Sequence, residues 1–353
     1  MVARCVCPSV PAWLFLRSIY MLRILHVGLG PLGIRILNDL HEREVGHVVA
    51  CVDHAPQLAN QPLHQYVPKA SPGIRILSNL ESVDWSVVDL AIVTTSSDLA
   101  QCADTFRHLL RKGKAVVSTC EELVYPWLRH VALAEELEEI ALRYGGRLLG
   151  TGVNPGYLMD ALPAFVSSVS KSVRGVACYR VQDASARRIP FQQKIGAGLD
   201  DVQFAAKVRE GTLRHVGLGE SLHFIAHYLG LPIERWDEDL EPVHATRDMQ
   251  SGVGPIARGR IAGVRQVAKG YFDEREVVHL EFQAAIGQHD PYDRVLVEGE
   301  PRIDVVIPGG VHGDIATSSI VINTLPRVLE AKPGLHTMAT IAPPFFVRAG
   351  AKR

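Results

Sequence analysis

Gly28-Leu29-Gly30-Pro31-Leu32-Gly33 is a run of residues whose types and spacing serve a definite chemistry. Three glycines spaced this way, at a strand-to-helix turn, can cradle a pyrophosphate on free backbone N–H groups at the positive end of the helix. Gly28 permits the tight turn, Gly30 lets the backbone approach the anion, and Gly33 allows close packing of helix on strand. Pro31 suits the helix start, where a missing N–H costs little, and Leu32 opens the helical apolar spacing. Asp53 stands 20 residues after Gly33, at the end of the strand-like run His47–Val52. There its carboxylate would accept hydrogen bonds from ribose hydroxyls and repel a 2′-phosphate. His54-Ala55-Pro56 supplies no Arg or Lys, so the pattern favours NAD; His54 leaves NADP possible.

Two further segments hold groups able to move protons or orient a ligand. Ser118-Thr119-Cys120-Glu121-Glu122-Leu123 offers two carboxylates, either of which could bind an ammonium ion or exchange the proton of an amine. The same residues also match helix capping boxes, Ser118 with Glu121 and Thr119 with Glu122. Cys120 has no His partner nearby in sequence and reads as a small buried thiol. Gly150-Thr151-Gly152-Val153-Asn154-Pro155-Gly156-Tyr157 makes a rigid turn, in which Asn154 can donate and accept toward cofactor or substrate. A plain turn between domains accounts for the same residues.

These segments need a scaffold, and the flanking sequence supplies one. Leu22–Val27, His47–Val52, Val87–Val93, Ala115–Thr119 and Arg147–Gly150 are strand-like. Helical spacing through Leu40, over Asp98–Lys112 and over Trp127–Tyr144 alternates with them. This alternation predicts an α/β fold, a doubly wound parallel sheet of the Rossmann type over residues 21–150. Ligands of such sheets lie beyond the carboxyl ends of the strands, which places Thr94, Thr95 and Ser96 beside the cofactor. With Ser97 they also offer a cap to the helix that follows.

From about Val173 the apolar pattern alternates over longer runs, in Val176–Val181, Val277–Ala284, Val295–Gly299 and Arg302–Ile307. A second α+β domain on an open, mostly antiparallel or mixed sheet is expected over 151–313, supplying the substrate pocket and a dimer surface. Residues 314–345, with a helix over Thr317–Glu330, are expected to return to the first domain.

With 37 Lys+Arg against 38 Asp+Glu, the chain has no excess of cations to bind nucleic acid. No stretch of 18 apolar residues would span a bilayer. Six scattered cysteines in 353 residues fit a reducing cytoplasm better than a disulfide scaffold. Residues 1–20, interrupted by Pro8, Pro11 and Arg17, read as a disordered extension before Met21.

The motif set resembles the 2,4-diaminopentanoate dehydrogenase and native amine dehydrogenase group, distant relatives of dihydrodipicolinate reductase. It comprises the Ser118–Leu123 and Gly150–Asp160 segments, Gln182–Ser185, Arg187–Pro190 and Gln193–Leu199. It continues through His215–Leu218, Gly309–Thr317, Asn323–Leu329 and Pro333–Met338. The resemblance implies NAD(P)-dependent oxidative deamination of a small amine or diamine, or reductive amination of a ketone or aldehyde with ammonia, in a homodimer. It implies a catalytic carboxylate at Glu121 or Glu122, with Glu122 leading. Asn154 and Pro155 would touch cofactor, and Asn154, Tyr157, Arg187, Arg188 and His215 the substrate.

Dihydrodipicolinate reductase itself carries a His pair that grips carboxylates. The matching stretch here, Asp183-Ala184-Ser185-Ala186-Arg187-Arg188, lacks it, which disfavours that substrate. Arg187 and Arg188 are either bidentate carboxylate binders or solvated loop cations. Should they line the pocket, an amino-acid-like substrate is favoured. His223 and His227 have zinc-compatible i,i+4 spacing but no third ligand, so no metal is expected. Two rivals stand: an NADP-linked imine or carbonyl reductase that needs no ammonia, and a nucleotide-sensing protein without turnover.

Overall fold

The computed structural model describes residues 21–213 and 215–347; the expectation for residues 1–20 lies outside them. The first half alternates strand and helix: β1 Leu22–Val27, α1 Pro31–Glu42, β2 Gly46–Val52, β3 Ile76–Leu77, β4 Leu90–Val93, α2 Leu99–Arg111, β5 Ala115–Ser118, α3 Val131–Tyr144 and β6 Arg147–Gly150. There follow α4 Leu162–Val166, β7 Ser172–Asp183, α5 Ile189–Lys194, α6 Asp201–Arg209, α7 Leu218–Leu229 and β8 Arg235–His244. Then come β9 Met249–Ser251, β10 Gly254–Ile256, β11 Ile261–Phe272, β12 Arg275–Ala285, β13 Tyr292–Glu300, β14 Ile303–Pro308, α8 Gly313–Glu330 and β15 Gly334–His336.

The first sheet runs β15-β6-β5-β4-β1-β2-β3, parallel throughout. Chain order reverses between β1 and β4, which opens a crevice at the strands' carboxyl ends. Both faces are buried, as parallel strands require. Ile24 and Ile92 join one core with Ile36, Leu40 and Val321, whereas Leu25 and Val93 join another with Phe106 and Leu137.

The second sheet, β14-β13-β7-β12-β11-β8, is mixed; β7 and β12 are parallel and the remaining pairs antiparallel. One face packs on α7 through Leu222 and Ile225 against Ala268, Leu280 and Val295.

Local departures from the sequence pattern have physical causes. Asp89, the one acid in the run Val87–Val93, lies outside the strand and accepts from the Arg23 backbone N–H and guanidinium, closest at 2.7 Å. Helix α2 is capped by Asp98, which accepts from Gln101 N at 3.0 Å, rather than by the Thr94–Ser97 hydroxyls. The helix expected from Trp127 begins at Val131, because Pro126 holds a separate 3-10 turn before it. The helix expected from Thr317 starts four residues earlier, at Gly313.

Candidate functional site

The carboxyl ends of β1, β2 and β4 meet at the glycine turn. Gly28 has φ +99, reserved for glycine, and a Cβ on Gly33 would stand 2.2 Å from the Gly28 carbonyl oxygen. Gly30 is different: its φ of −65 suits any residue, and a Cβ there would meet nothing within 4 Å. The open space at Gly30 lies at the start of α1, with Pro31 at its first position. Asp53 accepts from Leu29 N at 2.6 Å and Ala55 N at 2.8 Å, which leaves carboxylate lone pairs for another donor. Thr94 donates to the Gly28 carbonyl at 2.8 Å, and Ser96 donates to Gln101. His54 and Thr95 are exposed beside them. The fit to a dinucleotide is good: an anion-ready helix end, a cradle that a Cβ would fill, and an acid at the second strand's end.

Next to this turn, at the ends of β5 and β6, a cavity of about 250 Å³ opens between the two sheets. Leu32, Thr119, Cys120, Glu121, Thr151, Asn154 and Pro155 form the wall from the first sheet. Arg180, Arg187, Arg188, Lys194, His215 and Asp314 form the opposite wall. Asn154 is 9% exposed and its amide nitrogen has no hydrogen-bond partner among the described residues, as is true of the Thr151 hydroxyl. Buried donors without partners are costly, and both residues line the space a ligand can fill.

The two adjacent carboxylates separate. Glu121 begins a 3-10 turn, Glu121–Val124, and lines the cavity. Glu122, favoured by the sequence reading, points the other way. It is 8% exposed and accepts from Leu99 N at 2.8 Å, at the start of α2, with His130 Nε2 at 2.9 Å. The capping boxes expected at Ser118 and Thr119 do not form; Ser118 instead accepts from Cys120 N at 3.1 Å. Capping does occur, across the fold rather than along it. Cys120 is buried and donates to the Ser97 carbonyl at 3.3 Å.

Tyr157, expected at the substrate, is not among the cavity residues, because the turn at Gly156 (φ +124) sends it to pack on the main core. The turn is fastened from below by Asp160, which accepts from Gly156 N at 2.6 Å. Complete burial pushes the Asp160 carboxyl up to about 7.

Arg187 and Arg188 do line the cavity. Arg187 stacks at 4.0 Å over Phe191 and reaches Asp314 at 3.2 Å; Arg188 shares that carboxylate at 3.5 Å. His215 Nδ1 lies 2.7 Å from the Val216 carbonyl and so carries the proton, which leaves Nε2 an acceptor. Burial, with Lys194, Arg180 and Arg187 nearby, pushes His215 down to about 3.

Sequence spacing gave no hint of Arg180, Lys194 or Asp314 at this site, since strand pairing and the return of α8 bring them there. His223 and His227 turn elsewhere, His223 to the Gly219 carbonyl (2.9 Å) and Trp236, His227 to the Tyr125 hydroxyl (3.2 Å). Among the described residues no group of three or more His, Cys, Asp or Glu is placed to hold a metal, and no helix is long and apolar enough to cross a membrane.

Comparison with known proteins agrees with this architecture. The chain is 28% identical over 330 residues to a 2,4-diaminopentanoate dehydrogenase of Acetoanaerobium sticklandii, covering 91% of this chain and 94% of the relative. It is 22% identical over 295 residues to an amine dehydrogenase of Streptomyces virginiae, covering 75% and 80% respectively. The solved structure of amine dehydrogenase from Mycobacterium smegmatis shares the fold, with a TM-score of 0.80 at 20% identity over 92% of this chain and 97% of that one. The sequence profile of the 2,4-diaminopentanoate dehydrogenase C-terminal domain matches residues 157–352. That stretch is more than half of the 353 residues and holds the cationic wall of the cavity, so this chain belongs to the 2,4-diaminopentanoate dehydrogenase family.

Proposed function

We propose that the chain is an NAD-linked amine dehydrogenase acting on a small amine that also carries a carboxylate, and in reverse aminating the corresponding keto acid with ammonia. One observation carries this reading: Glu121, the unpartnered Asn154 amide and the cations Arg180, Arg187, Arg188 and Lys194 line a single cavity beside the glycine turn. The Acetoanaerobium relative is named for a diamino carboxylate, which agrees with that wall.

NAD, when bound, supplies the hydride acceptor of the oxidative direction. This chain's residues hold and orient. The glycine turn and the N-terminus of α1 take the pyrophosphate, and Asp53 takes the ribose hydroxyls. In the aminating direction Glu121 removes a proton from ammonium, which frees ammonia to attack the substrate carbonyl. The adduct nitrogen passes one of its protons to the former carbonyl oxygen, Glu121 returns the other, and water leaves an iminium ion. Asn154 Nδ2 donates to the same oxygen, and Arg188 and Lys194 face the remote carboxylate. Phe191, Ile195, Val264 and Phe282 supply an apolar lining that limits water.

The test is NADH consumption with ammonium and matched pairs of keto acids and uncharged ketones. Turnover should require ammonium, and kcat/KM should favour the keto acid by about tenfold or more, the worth of one charged contact. Turnover without ammonium, or no preference for the acid, would remove the reading. In parallel, Gly30→Ala should keep the wild-type melting temperature yet weaken NADH binding by about tenfold, since its Cβ enters only the ligand's space.

The second sheet also supports a homodimer. The face opposite α7 carries half-buried Tyr179 and Leu296 and exposed Val306 among the ion pairs Arg265–Glu281 (2.7 Å) and Arg294–Asp304 (2.5 Å). A two-fold axis there would lay each apolar and charged row against its copy. Light scattering should then give twice the 38.7 kDa chain mass, and a monomer would exclude it. Four free, buried cysteines favour a reducing, cytoplasmic location.

A further inference from the structure

His26 lies in β1, fully buried beneath the glycine turn, where an apolar side chain would pack without a polar atom to satisfy. Its Nε2 is 2.9 Å from the Gly28 carbonyl oxygen and 3.1 Å from Thr94 Oγ1. A carbonyl only accepts, so Nε2 carries the ring proton. Thr94 Oγ1 donates to the same carbonyl at 2.8 Å. On the other side of that peptide, Leu29 N donates to Asp53 Oδ2 at 2.6 Å.

The Gly28–Leu29 peptide is therefore held at both poles, its oxygen by His26 and Thr94 and its N–H by Asp53. Groups from the ends of β1, β2 and β4 converge on one peptide plane, the first of the turn. The clamp has a cost. His26 Nδ1 is buried with no hydrogen-bond partner among the described residues, and burial pushes the imidazole down to about 4. It is thus neutral near pH 7, and its single proton is committed to the turn.

We infer that His26 is a positioning residue of the dinucleotide site, fixing the plane of the Gly28–Leu29 peptide and, through the Leu29 N–H, the carboxylate of Asp53. This rests on the reading of the turn as the cofactor site. Rotating that peptide would break the bond to Asp53 and change what the turn offers to a pyrophosphate and a ribose.

The experiment is a titration of the whole protein with NADH, followed by nicotinamide fluorescence without turnover, for wild type and His26→Leu, His26→Asn and His26→Gln, with melting temperatures in parallel. A Gln amide nitrogen reaches about as far as Nε2, whereas that of Asn falls about one bond short. His26→Gln should bind NADH within about threefold of wild type, and His26→Asn and His26→Leu about tenfold or more weaker. At saturating NADH, kcat of all three should return to within about twofold. Wild-type affinity in the Asn and Leu variants, or equal weakening in Gln and Asn, would overturn the role. Should the Leu variant fail to fold, the Asn and Gln pair decides. Absence of NADH binding in the wild type would instead overturn the cofactor site itself, and the His26 role with it.

Discussion

Glu121→Gln should lower kcat for ammonium-dependent turnover by about 10²–10⁴-fold, the usual worth of a positioned acid–base group, while NADH affinity and melting temperature stay near wild type. The side chain lines the cavity across from the cationic wall, and Gln keeps its size while losing the ability to take a proton. Glu122→Gln is the paired control with the opposite pattern. Glu122 ties the start of α2 to His130 and is 8% exposed, so losing its charge should cost about 1–3 kcal/mol of stability. Its turnover should remain within about an order of magnitude of wild type. Steady-state rates with ammonium, NADH titrations and thermal melts on both variants check this. Full activity in Glu121→Gln would eliminate the carboxylate mechanism, and loss of turnover in a fully stable Glu122→Gln would move it one residue along.

That pair also shows what the sequence could and could not convey. Two adjacent acids in a Cys-Glu-Glu run are equivalent in composition, and choosing between them depends on a single backbone turn. The 3-10 turn after β5 presents Glu121 to the cavity and swings Glu122 under α2, whose first N–H lies 23 positions back in the chain. A capping pattern along the sequence cannot express such a cross-element cap. The glycine turn was legible because two of its three glycines answer to local constraints. Positive φ at Gly28 and the 2.2 Å approach at Gly33 involve backbone within a few residues.

In the second half, four strand segments stood out, but Ile261–Phe272 did not. Gly263 and Gly270 break its alternation, and its partners set its burial. A Cβ on Gly263 would meet the Ala284 carbonyl oxygen at 2.0 Å, so neighbour contact rather than propensity requires a glycine there. The cationic wall was half visible, in Arg187 and Arg188. Arg180 reads along the chain as one polar residue within a strand, and only the sheet reveals its surroundings.

Arg180 leads to the largest expected change in stability. It is 2% exposed and donates to Asp293, 3% exposed, at 2.8 Å across neighbouring strands β7 and β13. Burial pushes each partner toward its neutral form, the Asp293 carboxyl up and the Arg180 guanidinium down, against their mutual attraction. Desolvation thus outweighs the Coulombic gain, and the pair itself is no large source of stability. Breaking it is another matter. Asp293→Ala would leave a buried guanidinium uncompensated and would strip Val311 N of its acceptor at 2.7 Å. Arg180 and Gln182 both donate to the Val311 carbonyl, so the same change loosens the segment leading into α8 and Asp314. A loss of about 3–5 kcal/mol is expected in urea unfolding followed by circular dichroism. The double variant Arg180→Met/Asp293→Leu should recover the part of that loss due to the uncompensated charge, because it removes both charges and fills the space with apolar atoms. Val311 N stays without its acceptor. A single variant costing less than about 1 kcal/mol, or a double variant no more stable than the single one, would contradict the burial argument. The recovered double variant also separates folding from recognition. It lacks one cation of the cavity wall, so its KM should rise for keto acids and stay unchanged for uncharged ketones, a split that restored stability alone cannot produce.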